Sequence, residues 1–393
     1  MAMNPSPGTT VSPPASVRAR LIVSQYEQVS GLSRYASMLY RELQRLPGVD
    51  AGLVRARPPR LPDGLWRFSR RLGFDVARFL ETYPVIWPDV GRGVVHLTQH
   101  SHAILLLRRA RRPVVVTVHD IIHHQYRHDP AMRIYRHPIE SWFDMAAIRA
   151  LRRAAAILAV SDYTRRALIE EVGVPADRVH TVHEGVDREQ FRPCAVPQAF
   201  YERYGLSPQV PYVLHISTDE PRKNLPALIQ ALATVRLRHP DAMLLKIGWP
   251  LYPRERERSL AQLGALGLRG AVIFVDDLPD GDLVYFYNVA RLLAFPSRAE
   301  GFGLPVLEAM ACGLPVVCSN AASLPEVAGD AAWLVDPDDV PGLAVAIGSL
   351  LDDRALAGRM GQAGLARAAA FSWAQTARET VEVYASVSEG LIA

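Results

Sequence analysis

Leu292-Leu293-Ala294-Phe295-Pro296-Ser297-Arg298-Ala299-Glu300-Gly301-Phe302-Gly303-Leu304-Pro305-Val306-Leu307-Glu308-Ala309-Met310-Ala311 changes character twice along its length. An apolar run of strand length comes first, then a turn with two glycines, then a helix-like run whose second residue is proline. Glycine lets a backbone approach a ligand closely, proline suits a first helical turn, and the unpaired amides at a helix start attract phosphate. A strand, a glycine loop and a helix in that order form a diphosphate-binding turn at the carboxyl end of a parallel strand. Glu300 and Glu308 flank the turn, one before it and one in the helix, where carboxylates accept from hydroxyls of a sugar and a ribose.

The same alternation runs through the rest of the chain. Short β-branched runs at Leu21 to Ser24, Val94 to Leu97, Val114 to His119 and Ile157 to Ser161 form one βαβ series. Tyr212 to Ser217, Met243 to Gly248, Val272 to Val275, Leu292 to Pro296 and Pro315 to Ser319 form a second. Pro193, Pro197, Pro208 and Pro211 interrupt regular structure between them, as a linker does. A chain of 393 residues fits two such units better than one. The expected fold is therefore α/β, with two doubly wound Rossmann-like domains facing a central cleft. The expected spans are a disordered tail at 1–17, an acceptor-side domain at 18–195, a nucleotide-binding domain at 196–371, and a terminal helix at 372–393 that returns to the first domain.

Composition narrows the class. With 49% hydrophobic and 21% charged residues the chain can bury sizeable cores. The start, rich in Pro, Ser and Thr, lacks the pattern of a secretory signal, and no apolar run reaches the ~20 residues of a membrane span. Cys194, Cys312 and Cys318 have neither disulfide-framework nor metal-ligand spacing. These features point to the cytoplasm. Residues 1–200 hold 28 basic against 18 acidic side chains, a net +10, and the remainder 16 against 22, a net −6. Arginines gather at Arg55, Arg57, Arg60, Arg67, Arg70 and Arg71, beside Trp66 and Phe68, and again at Arg108, Arg109, Arg111 and Arg112. That face is either simply solvated or a contact for an anionic membrane or acidic acceptor at the inner face of the cell membrane. No nucleic-acid-binding motif accompanies it.

Two more strand ends carry candidate chemistry. The loop Asp219-Glu220-Pro221-Arg222-Lys223-Asn224 follows Tyr212 to Ser217, and Lys223 is one of only two lysines among 44 basic residues. A lysine there is no by-product of general composition, and its charge suits a departing phosphate. His119 ends the strand starting at Val114, a position that faces a cleft in open α/β sheets. His123 and His124 lie near it without a third ligand motif, so no metal is expected. Asp280-Gly281-Asp282 and Asp336-Pro337-Asp338 read as turns.

The string from Ser297 through Glu300 and Glu308 to Gly313 resembles the signature of family-four retaining glycosyltransferases of the GT-B fold (glycosyl transferases group 1), and is similar to bacterial mannosyltransferases. The resemblance implies that Glu300 faces the donor sugar, that Glu308 binds ribose hydroxyls, and that amides of Phe302, Gly303 and Leu304 hold the sugar and phosphates. It assigns Lys223, assisted by Arg222, to the diphosphate. Many relatives have an additional arginine six residues before the lysine, where this chain has Ser217. Ser30-Gly31-Leu32-Ser33-Arg34-Tyr35 resembles the loop that closes on the diphosphate from the opposite domain, with Gly31 retained and Ser30 in place of a second glycine. His119 corresponds to the cleft histidine that contacts the transferred sugar and steers the acceptor. Ser161-Asp162 matches a cleft-lining position, and His183-Glu184-Gly185-Val186-Asp187 matches an Asn-Gly-Val-Asp segment. Phe371-Ser372-Trp373 and the helix after it match the bracing C-terminal helix.

The likeness spans roughly residues 18 to 388 and is thinnest at 50–93. It implies transfer of a hexose, mannose favoured, from GDP-mannose or a UDP-sugar to a glycan or lipid-linked acceptor, with retained configuration and no cofactor or metal. The expected setting is cell-surface polysaccharide or glycolipid biosynthesis. The alternatives are other chemistry on the same fold, such as nucleotide-sugar epimerisation, or a non-catalytic membrane-surface scaffold.

Overall fold

The structure is a computed structural model that describes residues 17–23, 31–56, 76–108, 110, 112–129, 131–132, 138–279 and 281–389. Residues 1–16, Ser30, the cluster Arg57, Arg60, Trp66, Arg67, Phe68, Arg70 and Arg71, and also Arg109, Arg111 and Asp280, lie outside the described residues.

The first sheet contains β1 (Val17–Val23), β2 (Val49–Arg55), β3 (Val94–Leu97), β4 (Val114–Val118), β5 (Ala156–Ala159) and β6 (Val179–Thr181), in the order β2-β1-β3-β4-β5-β6. The second contains β7 (Tyr212–Ile216), β8 (Met243–Ile247), β9 (Val272–Val275), β10 (Leu292–Phe295), β11 (Val316–Ser319) and β12 (Trp333–Val335), in the order β12-β11-β10-β7-β8-β9. All pairings are parallel. Helices cover both faces of a parallel sheet, so its central strands read as continuous apolar runs. In β10, Leu292, Leu293, Ala294 and Phe295 are all fully buried. Removing such a leucine or phenylalanine from water contributes about 1.5–3 kcal/mol.

Three strands have no counterpart among the sequence expectations: β2, β6 and β12. All three are edge strands. β2 includes Asp50, Gly52 and Arg55 and alternates in burial, while β6 and β12 have three residues each. β1 starts at Val17, within the span expected to be tail, because the Val17 amide donates to the Gly48 carbonyl (2.8 Å) and Val17 pairs with Val49.

The helix Trp373–Glu389 packs on the helix Gly31–Leu43 and on β1, burying Trp373, Ala377 and Tyr384 beside Tyr35 and Leu39. A polar chain runs through this apolar layer. Tyr384 Oη lies 2.6 Å from His96 Nδ1, His96 Nε2 lies 2.7 Å from Thr117 Oγ1, and that hydroxyl lies 2.9 Å from Tyr35 Oη. Burial pushes the His96 imidazole down to about 3, so it is neutral and supplies one donor and one acceptor to the chain. The Tyr35 ring in turn stands edge-on to His119 at 4.7 Å.

The backbone passes between the two sheets twice, and the two passages touch. The Val186 amide donates to the Phe371 carbonyl (3.3 Å), Thr376 Oγ1 donates to the His183 carbonyl (2.7 Å), and a Cβ on Gly185 would overlap the Trp373 amide nitrogen.

A carboxylate on the second lobe fastens the same region. Glu326 lies 2.6 Å from His183 Nε2 and accepts from the amides of Asp162 (2.8 Å) and Tyr163 (3.3 Å). The Glu326 hydrogen bond raises the His183 pKa, against the opposing effect of burial. A raised folded-state pKa stabilises the fold fully below the unfolded value of about 6.5, and that contribution disappears as pH rises through the folded value. The melting temperature of the wild type is therefore expected to fall relative to that of His183→Gln between about pH 6 and 8.5. Parallel melting curves for the two proteins across that range would disprove the linkage.

Candidate active site

The order of the second sheet reverses between β7 and β10, which are adjacent (Leu292↔Val213, Leu293↔Leu214). Successive connections run outward in opposite directions from that point, and the loops leaving β7 and β10 part to form a crevice at their carboxyl ends. Both sequence-predicted loops of the second half open into it.

The loop after β7 makes one helical turn, Pro221–Lys223, before the helix Leu225–Val235. Asn224 joins the two in the left-handed conformation (φ 58°), which asparagine tolerates better than most residues. Its side-chain amide donates to the carbonyls of Pro296 (3.1 Å) and Pro337 (2.6 Å), fixing this loop against the end of β10. Lys223 Nζ then lies 2.7 and 2.9 Å from the two Glu300 oxygens. Arg222 donates to Glu300 Oε2 (2.9 Å), the Ala299 carbonyl (2.9 Å) and Glu220 Oε2 (2.5 Å). Burial alone would raise the Glu300 pKa, but the charges of Lys223 and Arg222 outweigh it and hold the carboxyl below its ordinary range. Glu300 is thus a carboxylate at neutral pH, able to accept from sugar hydroxyls and unable to act as a proton donor.

The other lysine is structural. Lys246 Nζ donates to the carbonyls of Ser217 (2.7 Å) and Gly248 (3.0 Å) and pairs with Asp219 (2.7 Å), which also binds Arg256 (2.8 Å). This buried network supports the loop that presents Lys223.

The loop after β10 turns at Gly303 (φ 112°), a conformation unfavourable for any side chain, and enters the helix Leu304–Ala311 with Pro305 in its first turn. Ser323 Oγ is within hydrogen-bond distance of the carbonyls of Glu300 (3.0 Å) and Phe302 (2.8 Å). The Phe302 ring is buried against Phe371 (5.9 Å between centroids), which leaves its backbone as the part available to a ligand. Glu308 projects from the helix, accepts from Tyr287 Oη (2.6 Å) and pairs with Arg34 of the first lobe. Burial raises its pKa, with Arg34 and the Tyr287 hydrogen bond opposing.

The first lobe supplies the facing wall. Gly31 opens its helix beside Leu304, where a Cβ would make an ordinary contact of 3.9 Å with that side chain. His119 Nδ1 lies 2.7 Å from Glu184 Oε1, and Nε2 lies 3.1 Å from the Thr98 carbonyl. A carbonyl only accepts, so Nε2 carries a hydrogen. Ser161 Oγ donates across the cleft to the Gly301 carbonyl (2.7 Å). Burial raises the Asp120 pKa, but Arg222 of the other lobe, with His123 and His100, brings it below its ordinary value.

The structure thus gathers Arg222, Lys223 and Glu300 at the ends of β7 and β10 with the His119 backbone against Gly301, and brings Arg34 to Glu308 and Gly31 to Leu304. Glu184, Glu220 and Asn224 entered the sequence reading only as members of quoted strings, with no role, and Tyr287 and Ser323 did not enter it. Glu184 had a signal, since it stands where the family segment has asparagine; Tyr287 and Ser323 lie in runs with no motif. In the aspartate turns, Asp336 accepts from the Asp338 amide (2.9 Å), Asp338 pairs with Arg298, and Asp282 pairs with Arg203. Among the described residues no cluster of His, Cys, Asp and Glu is arranged to hold a metal, and no helix is long and apolar enough to cross a membrane.

Two facing Rossmann-like sheets, with a charged turn at the switch point of the second, define a GT-B architecture. Comparison with known proteins agrees. The model of glycosyl transferases group 1 matches residues 199–367, and that of glycosyltransferase family 4 matches residues 29–190. The chain is 36% identical over 292 residues to the O-antigen chain mannosyltransferase B of Escherichia coli, covering 72% of this chain and 73% of that one. It is 33% identical over 245 residues to the serotype-specific mannosyltransferase WbdA of Escherichia coli, covering 61% of this chain but only 30% of that longer protein. The solved sucrose-phosphate synthase of Thermosynechococcus elongatus superposes with a TM-score of 0.73 at 21% identity, covering 95% of this chain and 100% of that one, a likeness of fold. The chain belongs to glycosyltransferase family 4.

Proposed function

We propose that the protein transfers a hexose, mannose in preference, from a nucleotide-sugar donor such as GDP-mannose to a glycan or lipid-linked acceptor, with retention of anomeric configuration. The observation that carries this reading is the convergence of Lys223 and Arg222 on Glu300 at the switch point of the second sheet. A donor laid along the cleft places its ribose at Glu308, its diphosphate before the Gly303 to Leu304 amides and Lys223, and its sugar between Glu300 and His119. Lys223 leaves Glu300 for the phosphate as the glycosidic bond breaks, and Glu300 turns to the sugar hydroxyls. The acceptor then attacks from the face the diphosphate is leaving, and the diphosphate takes its proton. No side chain in the cleft needs to act as nucleophile.

The names of the relatives support mannose, and the basic first half of the chain supports an acceptor at the cytoplasmic face of a membrane. The test is nucleoside diphosphate release from GDP-mannose, UDP-glucose and UDP-GlcNAc. One donor is expected to be cleaved in preference, and Glu308→Gln is expected to raise the KM for that donor about tenfold or more with a smaller change in kcat. If none of the donors is bound or cleaved, the donor reading fails; a Glu308→Gln effect confined to kcat would remove Glu308 from donor binding.

A further inference from the structure

Arg34 stands in the first turn of the Gly31–Leu43 helix and spans the cleft to Glu308 Oε1, with its guanidinium 5.5 Å from the Phe191 ring centroid. Its side chain is 23% exposed, and Glu308 is buried. Both oxygens of the carboxylate read as the ribose ligand therefore have partners within the protein, one in Arg34 and the other in Tyr287.

The cations across the cleft are occupied as well. Lys223 and Arg222 face Glu300 and Glu220, so two positive charges already meet two negative ones. Lys246 is held by Asp219. Ser217, which follows β7, spends its hydroxyl on His215 Nε2 (2.8 Å). An incoming diphosphate ester is anionic on both phosphates, and it lies between the ribose and the sugar, hence between Glu308 and Glu300.

We propose that Arg34 is a donor-binding residue that exchanges Glu308 for the donor diphosphate when the ribose hydroxyls take Glu308, supplying a cation from the first lobe. The exchange leaves no buried charge without a partner at either stage, which is the condition that makes buried ions tolerable. A guanidinium suits it because its planar fork serves a carboxylate and a phosphate equally well. The assignment rests on the donor-site reading given above.

Calorimetric titration of the wild type, Arg34→Ala and Arg34→Gln with GDP, UDP and ADP, and with the matching nucleosides, tests it. Arg34→Gln keeps a donor toward Glu308, and so serves if Arg34→Ala destabilises the fold. For the diphosphate the wild type binds, both variants are expected to bind about tenfold to a hundredfold more weakly, the range for a charge-assisted hydrogen bond. Nucleoside affinity is expected to be unchanged or to rise, since Glu308 is released. Unchanged diphosphate affinity in the variants, or equal weakening of nucleoside and diphosphate, overturns the role of Arg34 and leaves the donor site standing. If the wild type binds none of the three diphosphates, the donor site and this assignment fall together.

Discussion

Lys223→Ala is expected to lower the transfer rate about 10²–10³-fold, the scale of losing one preorganised charge at a site where negative charge develops. Lys223 touches both oxygens of Glu300 at 2.7 and 2.9 Å, which holds its ammonium beside the place proposed for the diphosphate, within a short swing of it. The variant should still fold, because Glu300 keeps Arg222 as a buried partner at 2.9 Å. The measurement is a steady-state rate with the preferred donor, with a melting curve to confirm the fold. A folded Lys223→Ala protein that retains most of the wild-type rate would take Lys223 out of the reaction. Arginine is not an equivalent replacement. Its planar fork is not the compact ammonium that meets both Glu300 oxygens over the Phe295 ring, whose centroid lies 5.5 Å from Lys223 Nζ.

Gly301→Ala is expected to have an effect of similar size for a different reason. A Cβ at this position would overlap the carbonyl oxygen of His119 and crowd the Asp120 side chain, both on the opposite lobe. The carbonyl of Gly301 also receives the Ser161 hydroxyl. The substitution therefore wedges the lobes apart beside Glu300 while leaving the interior of each lobe intact. Activity should fall at least about tenfold to a hundredfold, as misplaced reacting groups imply. The melting temperature should change little, and small-angle scattering should report a more open particle. Wild-type activity in Gly301→Ala would mean that this contact between lobes is not made during turnover.

The two substitutions also separate what was legible in the sequence from what was not. Lys223, Glu300 and Glu308 belong to contiguous strings that each follow a strand, so one pattern marked both the element and the loop at its carboxyl end. Central strands such as β4 and β10 are buried on both faces and announce themselves as apolar runs. Edge strands do not. β2 carries Asp50 and Arg55 because one of its sides meets water, and its period resembles that of a loop. The pairs Arg34 with Glu308 and His119 with Glu184 were invisible for another reason: their members are far apart in sequence and meet only because the fold brings them together. The glycine-containing loop that begins the first helix was readable at Gly31, and the basic cluster from Arg57 to Arg71 was readable only as charge.

Where the two passages between the lobes touch, at Gly185 and Trp373, the molecule has the mechanics of a door hung on a single pin. Two chain segments fixed to each other there resist sliding and separation of the lobes, whereas the contacts farther out, Ser161 with Gly301 and Arg34 with Glu308, are made by side chains that a rotation would part. Displacement then grows with distance from the pin. Groups beside it, such as His183 and Glu326, shift least, and those farther out along the cleft travel most for the same angle. A small change of angle at the pin would thereby suffice to part Arg34 from Glu308 while the backbone joint at Gly185 and Trp373 held.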